Sequence, residues 1–467
     1  MPSYVVYKGK VPGIYDDWEE CRRQVHRFSG NSYKGYTTRA EAESRYARYL
    51  AGERRERWRN RMKTSLIAMM LIVMTTSLFY VMRWCGGAAA RGDARTANPT
   101  GILVPQDVFA DNLFGVTNSD HLPELKEKLK RICEKSGIEK RHFHLTEETL
   151  AAHPELLDRE LPSLDTRVDM TVDAVPKLAQ CTAAKAIAEW GRPAADITHL
   201  VFSTYSACQA PTADLRLAAL LGLRPMVSRT MLSLHGCYGG GRALSLAKEL
   251  AENNRGARVL VACSEMTLVC FGAPDGGNIV GHALFGDGAG AVVVGAGPFL
   301  DGEQGPIFEM VSATQTTIPR TEHALGMRVS GGGIDFHLAI QVPTLVGQSV
   351  EPCLLDAFRG IIVDDDDAPP PCSGNGNGNG RWNDLFWAVH PGGRPILDNI
   401  DKVLMLEPEK LAASRHVLRE YGNMSGATIV FVLDELRRGR SPLPEWGALL
   451  AFGPGITIEA MVLRCPR

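Results

Sequence analysis

Residues 230–254 read TMLSLHGCYGGGRALSLAKELAENN, and this stretch decides the fold. An apolar run ends at Gly236, Cys237 follows at once, and a helical pattern starts at three glycines, Gly239 to Gly241. Leu244, Ala247, Leu250 and Ala251 recur three and four apart, which makes one face of that helix apolar. A strand that turns sharply into a helix is the repeating unit of an α/β chain. A cysteine at such a junction sits in the positive field of the helix N-terminus, which favours thiolate. The glycines leave room for backbone to approach a substrate.

The same pattern extends both ways. HLVFST (199–204), RVLVACSE (258–265), AGAVVVGA (289–296) and LFWAVH (385–390) read as buried strands alternating with helical stretches. From about Gln106 to the end the chain is one α/β pattern with a mixed or parallel sheet between helices. Residues 364–380, four aspartates followed by APPPCSG and a Gly-Asn repeat, cannot pack a core and read as a surface loop. That repeat lacks the Lys-Ser/Thr of a phosphate loop, and GDGAGA (286–291) precedes a strand, which excludes a dinucleotide loop.

Two further clusters belong with Cys237. WAVHPGG (387–393) ends an apolar strand on His390 and then breaks; YGNMSGA (421–427) sets Asn423 between a glycine and a helix start. Cys, His and Asn at three loop-facing element ends suit thioester chemistry. A thiolate attacks the acyl group, an imidazolium stabilises that thiolate, and His and Asn donate hydrogen bonds to a developing oxyanion.

Composition agrees with a globular chain. Of 467 residues, 45% are hydrophobic and 22% charged, which excludes disorder as the main state and a polytopic membrane protein. The formal net charge of -2 conceals a split: residues 1–63 hold 15 Lys+Arg against 8 Asp+Glu, and the remainder 36 against 45. Eleven cysteines without a C-x-x-C pair argue against a disulfide framework and against a zinc site. No metal is expected.

Upstream of the α/β pattern stand three segments. Residues 1–53 read as a small α+β domain, with YVVYKGKVPGIY as two strands about a turn and Asp17 capping a helix from Trp18. TSLIAMMLIVMTTSLFYVM (64–82) has no charge over nineteen residues and would span roughly 28 Å as a helix, about the thickness of a bilayer core. Six basic residues lie between Arg54 and Lys63, just before it. This segment, taken as 64–84, is expected to be a single transmembrane helix, followed by a linker over 85–105. The free cysteines prefer a reducing compartment and so favour a cytosol-facing α/β part, and the expected location is a single-pass protein of the endoplasmic reticulum membrane.

Residues 106–467 resemble the plant type III polyketide synthases of the chalcone synthase superfamily. The resemblance rests on LKEKLKRICEKSGIEKRHFHLTEE, VPKLAQCTAAKAIAEWGRP, ITHLVFST, LLGLRP, the Cys237 segment, ALFGDGAGA, HPGG, YGNMSGA and FGPGITIE. It implies a thiolase fold, two similar βαβαβαββ halves in five layers (106–315 and 316–467), a homodimer, and no cofactor, because CoA thioesters are the substrates. It implies Cys237 as the nucleophile, and His390 and Asn423 as stabilisers of the enolate formed when malonyl-CoA loses CO2. Phe285 matches an aromatic gatekeeper, Lys128, Arg131 and Lys135 match residues that meet CoA phosphates, and Phe452, Gly453, Pro454 and Gly455 match a cavity-shaping loop.

Departures from the chalcone synthase pattern point to the starter. Cys270 and Tyr205 stand where that pattern has threonines, and Ala210 where it has a methionine; Gly281, Gly326, Phe336 and Ser425 keep the usual types. A reshaped apolar cavity suits a fatty acyl starter, and similarity to grass alkylresorcinol synthases implies three malonyl extensions and an aldol closure. Glu265, Tyr205 and Ser425 are expected to form a water-activating hydrogen-bond network. An alkylpyrone, or a curcuminoid- or chalcone-like product from a phenylpropanoid starter, is the alternative.

Residues 4–50 resemble the hybrid-binding domain of eukaryotic ribonuclease H and viroplasmin-like proteins, on Tyr4, Pro12-Gly13, Trp18, Cys21, Phe28 and the Tyr33 to Tyr36 strand. The family implies RNA–DNA hybrid or duplex RNA as partner, gripped through Tyr4, Trp18, Tyr33 and Lys34. A reading of another class follows, a membrane-tethered hybrid-binding protein whose synthase part is inactive.

Overall fold

The computed structural model describes residues 2–47, 49, 80–83, 96–99, 101–297, 302–359, 361, 382–439 and 442–466. The chain divides into two compact units, Met1–Ser77 and Leu78–Arg467. In the first, strand Ser3–Lys8 lies between Gly13–Tyr15 and Ser32–Tyr36, antiparallel to both. Asp17 accepts the Glu20 amide at 2.9 Å and so starts helix Trp18–Val25. Val6, Cys21 and Val25 form its small core.

In the second unit, period-2 alternation sorts side chains between two faces of each strand. Val201 faces one side of strand His199–Thr204, while Leu200 and Phe202 join the cluster under helix Leu164–Trp190 on the other. Across the molecule Leu449 and Met461 face inward; Leu450 and Val462 pack on the outer helices Val342–Phe358 and Arg394–Leu404. Helices Gly239–Asn253 and Thr428–Arg438 fill the middle, contributing Leu244, Ala247, Val430 and Leu433 to the inward-facing cluster. The layers are thus helix, sheet, buried helices, sheet, helix, as the thiolase expectation requires.

The two sheet halves form one hydrogen-bonded path. Strands Ser228–Ser233, His199–Thr204, Arg258–Glu265 and Gly288–Ala296 make one half; Phe386–Val389, Trp446–Gly453, Thr457–Arg464 and Phe308–Thr317 make the other. Strand Tyr80–Arg83 joins them, pairing antiparallel with Gly288–Ala296 on one edge and with Phe308–Thr317 on the other.

That strand corrects the expected anchor. Residues 64–79 lie outside the described residues, but the last part of the proposed transmembrane helix is a strand bonded on both edges inside the sheet. Among the described residues no helix is long and apolar enough to cross a membrane. The single-pass assignment through residues 64–82, and the endoplasmic reticulum location built on it, are withdrawn: an uncharged run serves a buried sheet as well as a bilayer. The expected linker is corrected too. Thr96–Ala97 pairs with Gly288–Ala296, and Ile102–Pro105 pairs with Lys140–Phe143. The Gly-Asn loop at 364–380 lies outside the described residues.

Candidate active site

Three elements converge on Cys237. It stands in the short turn Gly236–Tyr238 between strand Ser228–Ser233 and helix Gly239–Asn253. Close approach is built into this turn: a Cβ on Gly240 would stand 2.1 Å from the Gly426 carbonyl, and one on Gly453 would stand 2.8 Å from the Tyr238 amide. Glycine at both points lets the segments 425–427 and 452–455 press on the turn that carries Cys237.

Asn423 is the contact that joins them. Its Nδ2 lies 3.6 Å from Cys237 Sγ and donates to the Gly392 carbonyl at 3.2 Å, while its Oδ1 accepts the Ser425 amide at 2.8 Å. Its Oδ1 also lies 3.7 Å from the same sulfur and can accept the thiol hydrogen, so the amide meets Cys237 through both of its polar atoms. The backbone of Asn423 is clamped as well: its N–H donates to Leu284 O, and its carbonyl accepts from Gly286, the two residues flanking Phe285.

His390 ends strand Phe386–Val389, its amide donating to Leu450 O at 2.8 Å. The ring is fully buried, edge-on to Phe452, and neither nitrogen has a partner among the described residues. Burial pushes the imidazole down to about 3. Burial likewise pushes the Cys237 thiol up to about 11, although hydrogen bonds from Asn423 and Ser425 oppose the shift. Desolvation thus drives each group, taken by itself, towards its neutral form and opposes the helix field at Cys237.

Glu265 lies beneath the site. Its Oε2 accepts from the Thr204 hydroxyl at 3.1 Å, the Tyr205 amide at 2.9 Å and the Ser206 hydroxyl at 3.2 Å. Burial nonetheless raises the carboxyl to about 8. Besides the Tyr205 amide, Thr204 and Ser206 hold this carboxyl, and nothing in sequence spacing marks those two. Arg141 was missed as well: fully buried, it donates to Phe285 O at 2.6 Å, His282 O at 2.7 Å and Gln106 Oε1 at 2.9 Å, pinning the Phe285 loop from behind. Its only sequence signal was a basic residue in the strand RHFH.

A cavity of about 300 Å³ opens beside this cluster. Phe285, Phe336, Cys270 and Gly281 line it, together with Phe109, Leu113, Leu145 and Leu150. Phe285 and Phe336 are in contact, tilted at 40° with centroids 4.7 Å apart, and buried Tyr205 meets Phe336 edge-on at 5.7 Å. Gly326 sits on the hairpin that carries Phe336. Ala210 is exposed, away from the cavity lining. Lys128, Arg131 and Lys135 form an exposed stripe on helix Pro123–Lys135 and do not line the cavity. Among the described residues no His/Cys/Asp/Glu group could hold a metal ion.

The first unit keeps an aromatic row. Trp18 lies 5.3 Å from Tyr4 and 5.7 Å from Tyr33, with Trp18, Tyr33 and Lys34 exposed.

Comparison with known proteins gives the family. The family descriptions for chalcone and stilbene synthases match at residues 87–298 for the N-terminal domain and 309–466 for the C-terminal domain. Bisdemethoxycurcumin synthase of Oryza sativa subsp. japonica is 55% identical over 386 residues, 81% of this chain and 92% of that protein. The chain belongs to the chalcone and stilbene synthase family. It is accordingly a type III polyketide synthase, an acyltransferase that uses CoA thioesters and needs no cofactor. Residues 2–44 of the synthase also match the ribonuclease H1 N-terminal domain.

Proposed function

We propose that this synthase loads a fatty acyl starter on Cys237, extends it three times with malonyl-CoA and closes the tetraketide to a 5-alkylresorcinol. The Cys237 thiol passes its proton to His390 as sulfur attacks the acyl carbonyl, and CoA leaves as its thiolate. Malonyl-CoA then loses CO2. The Asn423 Nδ2–H and a ring N–H of His390 donate to the enolate oxygen, and the carbanion attacks the Cys237-bound acyl group. Burial suits this sequence: a neutral His390 has one nitrogen to take a proton and another to donate, and a water-free site strengthens each hydrogen bond.

The observation that carries the starter assignment is the apolar cavity behind Phe285 and Phe336, with Cys270 in its wall. Aliphatic and aromatic walls favour an alkyl chain by area burial alone. A phenylpropanoid starter is the second reading, favoured by the identity to a curcuminoid-type synthase. Incubating the purified protein with malonyl-CoA and either C12–C18 acyl-CoAs or coumaroyl-CoA separates the two. Alkylresorcinols are expected, detected by mass spectrometry; consumption of coumaroyl-CoA alone would overturn the fatty starter, and pyrones alone would overturn the aldol closure.

A further inference from the structure

Arg141 is a buried cation that forms no ion pair with a carboxylate among the described residues. Its guanidinium lies 4.0 Å over the Phe109 ring, and its donors end on neutral acceptors: His282 O, Phe285 O and Gln106 Oε1. Nη2 has no partner among the described residues. Asp287, a carboxyl that acts on Arg141 through space, is itself held by the amides of Thr267 and His144. Burial lowers the guanidinium to about 10, which leaves it charged at neutral pH. A buried charge without a counter-charge costs stability, so packing alone does not account for it.

The carbonyls it holds lead to Asn423. Phe285 and Gly286 share one peptide unit, whose oxygen accepts from Arg141 Nη1 at 2.6 Å. The N–H of that unit donates to the Asn423 carbonyl at 3.0 Å, and Asn423 N–H donates back to Leu284 O at 2.9 Å. Gln106, which accepts from Arg141 Nε, donates to Ala283 O at 2.7 Å, so the carbonyls of His282, Ala283 and Phe285 hang on one post. The stem is seated as closely: a Cβ on Gly422, next to Asn423, would stand 2.7 Å from Arg141 Cδ. In a dry interior each bond of such a chain polarises the next. One end of this chain is a full positive charge; the other is the main chain of the residue whose amide meets Cys237.

We infer that Arg141 is a positioning residue for malonyl-CoA decarboxylation: through the Phe285–Gly286 peptide it fixes and polarises the main chain of Asn423. It does not touch the substrate. This rests on the enolate-stabilising role proposed above for Asn423. As CO2 leaves, the electron pair of the broken C–C bond passes into the thioester carbonyl, and the enolate oxygen takes its hydrogen bond from Asn423 Nδ2. An amide held from behind by a buried cation needs no reorganisation at that moment. Alkylation of Cys237 forms no oxyanion and should be indifferent to Arg141.

Arg141→Gln, Asn423→Ala and the two combined, each in the full chain, test the inference. Acetyl-CoA formed from malonyl-CoA reads decarboxylation, and iodoacetamide labelling, followed on the Cys237 peptide by mass spectrometry, reads whether the site is intact. Arg141→Gln should lower the decarboxylation kcat about tenfold, with KM for malonyl-CoA within about twofold and Cys237 labelling within about threefold. Arg141→Lys, which keeps the charge, should recover at least about threefold of that loss. In the Asn423→Ala background, Arg141→Gln should cost less than about twofold more. No loss in Arg141→Gln, an equal loss in both backgrounds, or labelling that falls in parallel with kcat overturns the inference and leaves the role of Asn423 standing. If Asn423→Ala decarboxylates at the unmutated rate, that role fails and the inference falls with it. Should Arg141→Gln not fold, Gln106→Leu, which loosens the post and keeps the charge, should lower kcat about threefold with labelling unchanged, and an unaltered kcat there overturns the inference equally.

Discussion

Cys237 shows how far a position and its protonation state can part. Its place at the start of a helix predicts a reactive sulfur, but burial pushes the thiol up to about 11, towards its protonated form. A base within the site would have to take that proton, the role proposed for His390. Cys237→Ala should remove starter loading, with condensation down at least about a thousandfold. Slow malonyl-CoA decarboxylation should persist through His390 and Asn423, and acyl-enzyme mass spectrometry with CO2 release reads both. Full condensation in that variant would refute the assignment. Glu265 makes a second residue-scale prediction. Its folded value of about 8 lies above the ordinary carboxylate range, so it favours the folded state at low pH. That contribution is complete below about pH 4.5 and is lost as pH rises towards 8, amounting to a few kcal/mol. Glu265→Gln should flatten the fall in melting temperature between pH 5 and 8, and an unchanged slope would exclude Glu265 as its source.

At the scale of elements, the segment before Gln106 changes meaning most. Read as an anchor and a linker, it should be dispensable to the catalytic part. In the fold it supplies Tyr80–Arg83 between the two sheet halves, Thr96–Ala97 on strand Gly288–Ala296, and Ile102–Pro105. Asn98 also donates to the Asp287 carbonyl at 2.9 Å, just beyond Phe285. A chain beginning at residue 106 loses all of these and should melt well below one beginning at residue 78, by at least about 5 °C, on the scale of a few kcal/mol of lost pairing. Equal melting temperatures would show that the segment adds nothing to the fold. Helix Gly239–Asn253 was easier to read, because its apolar residues recur three and four apart and three glycines mark the turn, whereas Thr428–Arg438 is buried on every side from Thr428 to Asp434.

For the whole molecule, local chemistry fixed the α/β class, the strand-turn-helix at Cys237, the loop ends carrying His390 and Asn423, and the small aromatic unit before them. These are legible because each depends on residues within a turn or two of one another. What the tertiary structure alone decided is how the distant parts meet. Asn423 has its amide oriented by Ser425 and Gly392, Glu265 is held by Thr204 and Ser206, and Arg141 lies behind Phe285. The uncharged run whose last residues, Tyr80 to Met82, enter strand Tyr80–Arg83 is the plainest case. A bilayer and a buried sheet make the same demand for apolar side chains, and only the strand's hydrogen-bonding neighbours, more than two hundred residues away in the chain, tell them apart.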